Sequence, residues 1–85
     1  MIIANMLSTI NESGSDGANK TSIMYKSFLS YAQLKEYLSF MIEKGLVDEI
    51  THQSSSNEKF VYKITVKGIR LLQISQEIES IVGLD

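Results

Sequence analysis

Residues 21–45 restrict the fold of this chain most strongly, because they have the pattern of two helices joined by a very short turn. The second helix has clear ends. Ser30 and Gln33 have the S-x-x-Q spacing of a capping box, in which each side chain bonds to the backbone N–H of the other residue. Lys44 places a cation in the last turn, and Gly45 suits the left-handed position that follows a helix. We therefore predict a helix over residues 31–44.

Apolar residues in this predicted helix recur at steps of three and four, so one side of it should be buried. The buried stripe consists of Leu34, Tyr37, Leu38, Met41 and Ile42. The opposite face carries Ala32, Gln33, Lys35, Glu36, Ser39 and Glu43. This polar face is available to a partner or to water.

The shorter helix before it has Thr21 as its expected N-cap, with Ile23, Met24 and Phe28 facing inward. Only two residues, 29 and 30, separate the two predicted helices. Such a short connection forces a steep helix-turn-helix geometry, in which the second helix can enter the major groove of DNA.

The segments on either side of this pair supply the remaining elements. Residues 2–10 have apolar side chains at helical spacing, and residues 11–19 form a polar turn rich in Gly, Ser, Asp and Asn. After Gly45 the pattern becomes strand-like, with one short strand over residues 46–50 and another over residues 60–64. The polar run at 52–58 between them predicts a β-hairpin with a solvated tip.

Thr65 is the expected cap of a last helix over residues 66–82, which Gly83 ends. Ile69 and Leu72 are expected to dock on the rest of the domain. A separate heptad seam remains for a second helix, and it consists of Leu71, Ile74, Ile78 and Ile81.

The order helix, helix, helix, strand, strand, helix predicts an α+β winged helix-turn-helix. We expect residues 1–85 to form a single winged-helix domain, with residues 66–82 as its C-terminal dimerisation helix. A chain of 85 residues supports one modest core, which dimerisation would help to stabilise.

The sequence contains no cysteine and no proline, so a disulfide framework and a thiolate metal site are both excluded. The N-terminal segment lacks the basic region of a signal peptide and is too short to span a bilayer, so we expect a soluble, cytoplasmic and nucleoid-associated protein. His52 is the only histidine, and no nucleophile–histidine–acid set or phosphate-binding motif can be assembled. These observations argue against an enzyme, and no cofactor is expected.

The net charge of −2 is unevenly distributed along the chain. All 8 basic residues lie between Lys20 and Arg70 with five acidic ones, which gives the middle of the chain a charge of +3 and the two ends together −5. A basic face on an acidic protein is therefore possible, as binding to nucleic acid requires.

Four motifs stand out along the chain, namely K-T-x-I-M-Y-K from Lys20, L-S-Y-x-Q-L-x-x-Y-L from Leu29, G-L-V from Gly45 and Y-x-I-T-x-K-G from Tyr62. They resemble those of archaeal winged-helix DNA-binding proteins, including the small dimeric chromatin-associated proteins of crenarchaea. The resemblance covers about residues 1–72. It implies a homodimer paired through its last helices, with the helix at 31–44 in the major groove and the hairpin at 46–64 as the wing.

The short last helix and the acidic composition depart from the chromatin-type proteins. Both departures favour a site-specific transcription regulator, such as one carried by a virus or plasmid of an archaeon, over a protein that coats DNA. The alternatives are a non-specific architectural DNA-binding protein and a winged-helix module that binds another protein.

The candidate contacts to double-stranded DNA lie on both helices of the pair and on the second strand of the wing. Gln33 can pair with adenine, Lys35 with guanine or phosphate, and the wing lysines with phosphate. Glu36 either accepts from a cytosine amine or pairs with a neighbouring lysine. The full set is Lys20, Thr21, Lys26, Ser30, Tyr31, Ala32, Gln33, Lys35, Glu36, Ser39, Lys59 and Lys63. The alternative is that these residues form an ordinary solvated surface.

Overall fold

Four helices and a two-stranded antiparallel hairpin follow one another in the predicted order. The computed structural model describes residues 2–53 and 58–83. The elements are α1 (Ile2–Glu12), a 3-10 turn (Gly14–Asp16), α2 (Lys20–Lys26), α3 (Tyr31–Glu43), β1 (Val47–Gln53), β2 (Glu58–Ile64) and α4 (Val66–Val82). The predicted α+β architecture is confirmed.

Helix α1 supplies much of the core. Met6, Leu7 and Ile10 are fully buried, and they pack in one cluster with side chains from α2, α3 and the hairpin. The helix extends to Glu12, two residues beyond its predicted end. Within this longer helix the buried Thr9 donates its hydroxyl to the Asn5 carbonyl at 3.0 Å. An amphipathic helix with its apolar face inward therefore closes one side of the domain.

The start of α2 differs from the prediction that Thr21 is its N-cap, which is wrong. Asn19 is the cap, and its side-chain oxygen accepts a hydrogen bond from the Ser22 N–H at 2.8 Å. Because Asn19 already satisfies this first turn, the helix begins at Lys20 and Thr21 lies exposed within it.

The connection between α2 and α3 spans residues 27–30 and is longer than predicted. It is a Schellman turn, in which the Leu29 N–H donates to the Met24 carbonyl at 3.0 Å and the Phe28 N–H donates to the Tyr25 carbonyl at 3.3 Å. This turn directs Leu29 toward the core and Phe28 outward. The expectation that Phe28 faces inward is therefore wrong.

Helix α3 begins with the predicted capping box at Ser30 and ends one residue earlier than predicted, with Lys44 as its C-cap. Gly45 follows with φ +73°, which confirms the left-handed position expected there. Leu34, Leu38 and Met41 are buried and Tyr37 is half-buried, as the predicted stripe requires. Ile42 is exposed instead, because it lies at the edge of the stripe, beside a small cavity between α3 and the hairpin.

Both strands of the hairpin are longer than predicted, with a register from Val47 opposite Ile64 to Gln53 opposite Glu58. His52 therefore lies in β1, opposite Lys59, and not in the tip. The tip itself, residues 54–57, lies outside the described residues. The strands lengthen because backbone pairing continues through polar positions that sequence patterning treats as loop.

A third segment joins the hairpin at Ala18, which exchanges both backbone hydrogen bonds with Tyr62 at 2.8 and 2.9 Å. Gly17 before it has φ +77°, and a Cβ atom there would lie 3.1 Å from the Tyr62 carbonyl oxygen. The close approach therefore depends on glycine. Through this bridge the chain that enters α2 is fixed to the wing.

The end of α3 and the start of α4 form a joint, which we call the α3–α4 joint, made by Lys44, Gly45, Leu46, Thr65 and Lys67. The Thr65 hydroxyl donates to the Gly45 carbonyl at 2.7 Å, and the Lys67 ammonium donates to the Lys44 carbonyl at 2.6 Å. The Thr65 N–H donates to the Leu46 carbonyl at 3.1 Å. Carbonyl groups at the end of one helix are thus satisfied by residues that start another.

Helix α4 has the predicted bounds, with the Thr65 hydroxyl accepting from the Gly68 N–H at 3.0 Å and Gly83 in the left-handed conformation at its end. Its docked face carries Gly68 and Leu72, which are buried. Of the predicted heptad seam, Leu71 is half-buried and packs against the same core, whereas Ile74, Ile78 and Ile81 are exposed on a second face. The third face carries Gln73, Gln76, Glu77 and Ser80. No helix in the described part of the chain is long and apolar enough to cross a membrane.

Candidate nucleic-acid interface

The amino-terminal end of α3 is held by reciprocal hydrogen bonds on the molecular surface. The Gln33 N–H donates to the Ser30 hydroxyl at 3.2 Å, and the Ser30 N–H donates to the Gln33 side-chain oxygen at 3.0 Å. The box confirms the sequence prediction and fixes the first turn of the helix. It also engages one acceptor position of Gln33, while the amide NH2 group remains available to a partner.

The outermost ridge of α3 consists of exposed residues at steps of four, three and four, namely Ala32, Glu36, Ser39 and Glu43. Glu36 and Glu43 are the second and fourth residues of this ridge. The first turn of the helix carries no acidic residue. The ridge is therefore neutral at its amino-terminal end and acidic toward its carboxyl-terminal end.

The chain that leads into this end of α3 is basic. Residues 17–35, which we call the basic segment, contain Lys20, Lys26 and Lys35 and no aspartate or glutamate. The Lys35 ammonium lies 5.6 Å from the centre of the Tyr31 ring, and the Lys20 ammonium lies 5.7 Å from the centre of the Phe60 ring on β2. Both distances are within the range of cation–π attraction, which restrains the positions of these charges.

A small cavity of about 80 Å³ lies where α2, α3 and the hairpin meet. It brings together Lys20, Lys35 and Ser39, three of the predicted DNA contacts, with Glu49 and Tyr62 from the two strands. Pockets that hold small molecules are several times larger, at roughly 300 Å³ or more. The cavity thus joins the helix pair to the wing and is too small for an effector molecule.

Glu49 and Tyr62 add a feature that the sequence reasoning missed. The Tyr62 hydroxyl donates to the Glu49 carboxylate at 2.7 Å. Burial of the phenol, together with its hydrogen bond to Glu49 and the negative charge there, raises the pKa of Tyr62 well above its usual value. The phenol therefore remains a neutral donor that holds the carboxylate in the cavity with the two lysines.

The two wing lysines occupy different environments on β2. Lys59 is exposed, whereas Lys63 is half-buried and pairs in register with Asp48. Residues directly opposite each other on antiparallel strands have neighbouring side chains, so Lys63 has an acidic residue across the hairpin from it. Of the two, Lys59 is better placed to contact phosphate.

The structure places the sequence-predicted DNA contacts on α2, on α3 and on the wing, and it brings three of them together at the small cavity. Thr21 and Lys26 lie exposed on α2, Tyr31 is exposed at the first position of α3, and Lys59 is exposed on the wing. The hairpin register, which sets Glu49 opposite Tyr62, is the signal that could have revealed the added hydrogen bond. Within residues 2–53 and 58–83, no group of three or more histidine or acidic side chains is placed to bind a metal ion.

The sequence profile of a family described as "Winged helix-turn-helix" matches residues 1–82 of the chain. Among curated proteins, none matches the sequence significantly.

Solved structures with the same fold include three bacterial ones. A PadR family transcription regulator from hypervirulent Clostridium difficile R20291 has a TM-score of 0.84 and 19% identity, with 96% of this chain and 90% of that chain covered. A mutant of MepR from a multidrug-resistant S. aureus clinical isolate has a TM-score of 0.82 and 16% identity, with 98% of this chain and 59% of that chain covered. A second S. aureus MepR mutant, bound to an oligodeoxyribonucleotide, has a TM-score of 0.76 and 16% identity, with 99% of this chain and 63% of that chain covered.

The TM-scores of 0.76 to 0.84 show that these structures share the fold of this chain, at identities of 16 to 19%. The chain spans about three-fifths of the length of the two MepR chains and nine-tenths of the PadR family regulator.

Proposed function

The chain belongs to the winged helix-turn-helix family, and from that membership we propose that it is a transcription regulator that binds double-stranded DNA as a homodimer. In this proposal α3 enters the major groove, and the hairpin over residues 46–64 contacts the backbone or the minor groove. Binding is sequence-specific and takes place at the nucleoid in the cytoplasm.

The basic segment is the observation on which the proposal chiefly rests. It leads into the exposed first turn of α3 and contains three lysines and no acidic residue, in a chain whose net charge is −2. Positive charge concentrated beside the base-reading end of a recognition helix is what binding to the phosphate backbone requires. Because the first turn of α3 carries no acidic residue and its carboxylates begin at Glu36, the charge favours an approach to DNA by the amino-terminal end of the helix.

The apolar face of α4 supports the homodimer. Ile74, Ile78 and Ile81 are exposed, and 83% of the surface of Ile81 is accessible. An open groove of about 520 Å³ lies beside Leu71 and Ile74, with Leu46 and Val66 also in its wall. Pairing with the same helix of a second copy would cover this face, and the heptad spacing suits such pairing.

The comparisons give further support. One structural neighbour is a transcription regulator, and another was solved with an oligodeoxyribonucleotide. The dimeric archaeal type, including one carried by a virus or plasmid, remains a prediction from the resemblance in the sequence. The single domain over residues 1–85 is likewise part of the proposal.

A module that binds another protein is the second candidate function. Glu36 and Glu43 on the outer ridge of α3, with Glu49 held by Tyr62 nearby, give this region a negative component that repels phosphate. A basic partner protein would be attracted to the same carboxylates. This candidate predicts no binding to duplex DNA.

The test is a salt titration of binding to random duplex DNA and to a duplex fragment from upstream of the protein's own gene. Preference for the upstream fragment with a steep salt dependence supports the specific regulator. Equal affinity for both would indicate the architectural alternative, and no binding to either would favour the protein-binding module.

Lys26→Gln should reduce the slope of log K against log salt by about 1, and Lys44→Gln, at the far end of α3, should leave it unchanged.

A further inference from the structure

Phe28 occupies a backbone conformation that its side chain disfavours. Its φ is +57°, and it is the only non-glycine residue with a positive φ in the described part of the chain. It holds the left-handed position of the Schellman turn that ends α2, where glycine is the usual residue. For an L-residue with a side chain this conformation is strained, because the Cβ atom lies too close to the following carbonyl oxygen.

The phenyl ring gains no compensating burial within the chain. It is 94% exposed, more than any other large hydrophobic side chain in the described residues. Strain at a position whose side chain contacts water alone is typical of residues that serve a contact outside the chain. The same turn with glycine would keep both of its backbone hydrogen bonds without the strain.

The surroundings of Phe28 indicate which kind of partner it contacts. Tyr25 and Tyr31, on either side of it in the chain, are 70% and 56% exposed. Lys26 is exposed in the same turn, and all of these residues lie in the basic segment, which has no acidic side chain. A partner that suits both the lysines and the exposed rings carries negative charge and apolar faces together, as nucleic acid does.

We propose that Phe28 is a DNA-contacting residue whose ring makes an apolar contact with base edges in the major groove, at the point where α3 enters. This inference rests on the proposed function and adds a specificity-determining residue to it. A phenyl ring has no charge or hydrogen-bond donor for a phosphate. Its natural target in the major groove is the 5-methyl group of thymine, with which phenylalanine makes apolar contact.

The test compares wild type with Phe28→Gly on two versions of the upstream fragment, one amplified with thymidine and one with deoxyuridine, which lacks the methyl group. Wild type should bind the thymidine fragment about fourfold more tightly for each methyl group contacted. Phe28→Gly should bind both fragments equally and, in a dimer with one methyl contact in each subunit, about 15-fold more weakly than wild type binds the thymidine fragment. Its salt slope should be unchanged, because a lost apolar contact releases no counterions.

The thermal stability of the free protein is a second, independent measurement, because Phe28→Gly should raise it while lowering the affinity for DNA. Phe28→Gly should raise the Tm of the free protein by about 4 °C, because the strain is removed and no buried surface is lost. Phe40→Ala removes an exposed ring from α3 outside the basic segment and serves as the matched control. It should leave the discrimination between the two fragments intact.

Three outcomes would overturn the inference. Unchanged DNA binding by Phe28→Gly would exclude a DNA contact while leaving the proposed function in place. A change in the oligomeric state of Phe28→Gly would assign the ring to a contact between protein chains. Failure of wild type to bind either fragment would overturn the proposed function and the inference with it.

Discussion

The Tyr62 hydroxyl donates a 2.7 Å hydrogen bond to Glu49, the residue directly opposite it across the hairpin. This contact makes a prediction about pH, because it contributes with burial to the raised pKa of Tyr62. Below the unfolded-state pKa of about 10 the phenol is protonated in both states, and its contribution to stability is complete. As the pH rises further, the unfolded chain ionises first and the free energy of unfolding falls. At pH 11 the loss due to Tyr62 should be about 1 kcal/mol.

Urea denaturation of wild type and Tyr62→Phe at pH 8 and pH 11 measures this contribution. Tyr62→Phe should be less stable than wild type by about 1 kcal/mol at pH 8, where the hydrogen bond is lost. The gap should narrow or close at pH 11. Tyr25→Phe removes an exposed hydroxyl and should follow wild type at both values. A constant gap would show that the Tyr62 phenol does not resist ionisation.

Ser30→Ala removes the hydroxyl that caps α3, and we expect it to lower the free energy of unfolding by about 1 kcal/mol. Ser39→Ala, on the exposed ridge of the same helix, is the matched control and should change stability by less than about 0.5 kcal/mol. Equal effects of the two substitutions in urea denaturation would contradict a stabilising capping box.

Gly68→Ala tests the close contact between α4 and the end of α3. An added Cβ atom would lie 2.2 Å from the Leu46 carbonyl oxygen and 2.8 Å from an Ile64 side-chain carbon, so backbone must move. We expect a loss of about 2–3 kcal/mol in the free energy of unfolding. Gln76→Ala, on the polar face of α4, should be close to neutral, since alanine favours helix. A stable Gly68→Ala protein would show that this joint is loose.

Charged substitutions on the apolar face of α4 test whether this face pairs with a second copy of the chain. Ile74→Glu with Ile78→Glu should dissociate the proposed dimer and weaken DNA binding on the order of 100-fold through lost bivalency. Gln73→Glu with Gln76→Glu adds the same charge to the polar face and should preserve the dimer. Sedimentation or light scattering reports the oligomeric state, and a dimer that survives the first pair of substitutions would place the interface elsewhere.

Two proposed DNA contacts should differ in what they contribute to binding. Gln33→Ala should relax the sequence preference, because the side chain can reach base edges, and it should also weaken the capping box. Lys59→Ala should weaken binding about equally for every sequence and lower the salt slope by about 1. Affinities for a panel of duplexes at two salt concentrations separate these effects. A uniform loss with Gln33→Ala would remove it from base recognition.

Features fixed by local chemistry were predictable from the sequence. The capping box at Ser30, the left-handed Gly45 and the cap at Thr65 each depend on residues within a single helical turn, and all three are confirmed. The choice between Asn19 and Thr21 as the cap of α2 was less determined, since both residue types suit that role.

Features that depend on tertiary contacts or unusual residue usage were not predictable. Phe28 holds the left-handed position of a Schellman turn, where glycine is usual. Its apolar side chain therefore predicted an inward orientation, whereas the turn directs it outward. The bond between Glu49 and Tyr62 depends on a hairpin register that the polar sequence between the strands does not fix. The bridge from Ala18 to the hairpin likewise joins residues 44 apart in the chain.

The α3–α4 joint has a consequence for the spacing of DNA sites. Because Thr65 and Lys67 hold the carbonyl groups at the end of α3, the direction of α3 is tied to that of α4. In a dimer paired through α4, the protein itself would then fix the distance between the two α3 helices, and this distance would not adjust to the DNA. Operators whose half-sites differ from that separation by one or two base pairs would be rejected even when every base in each half-site is correct.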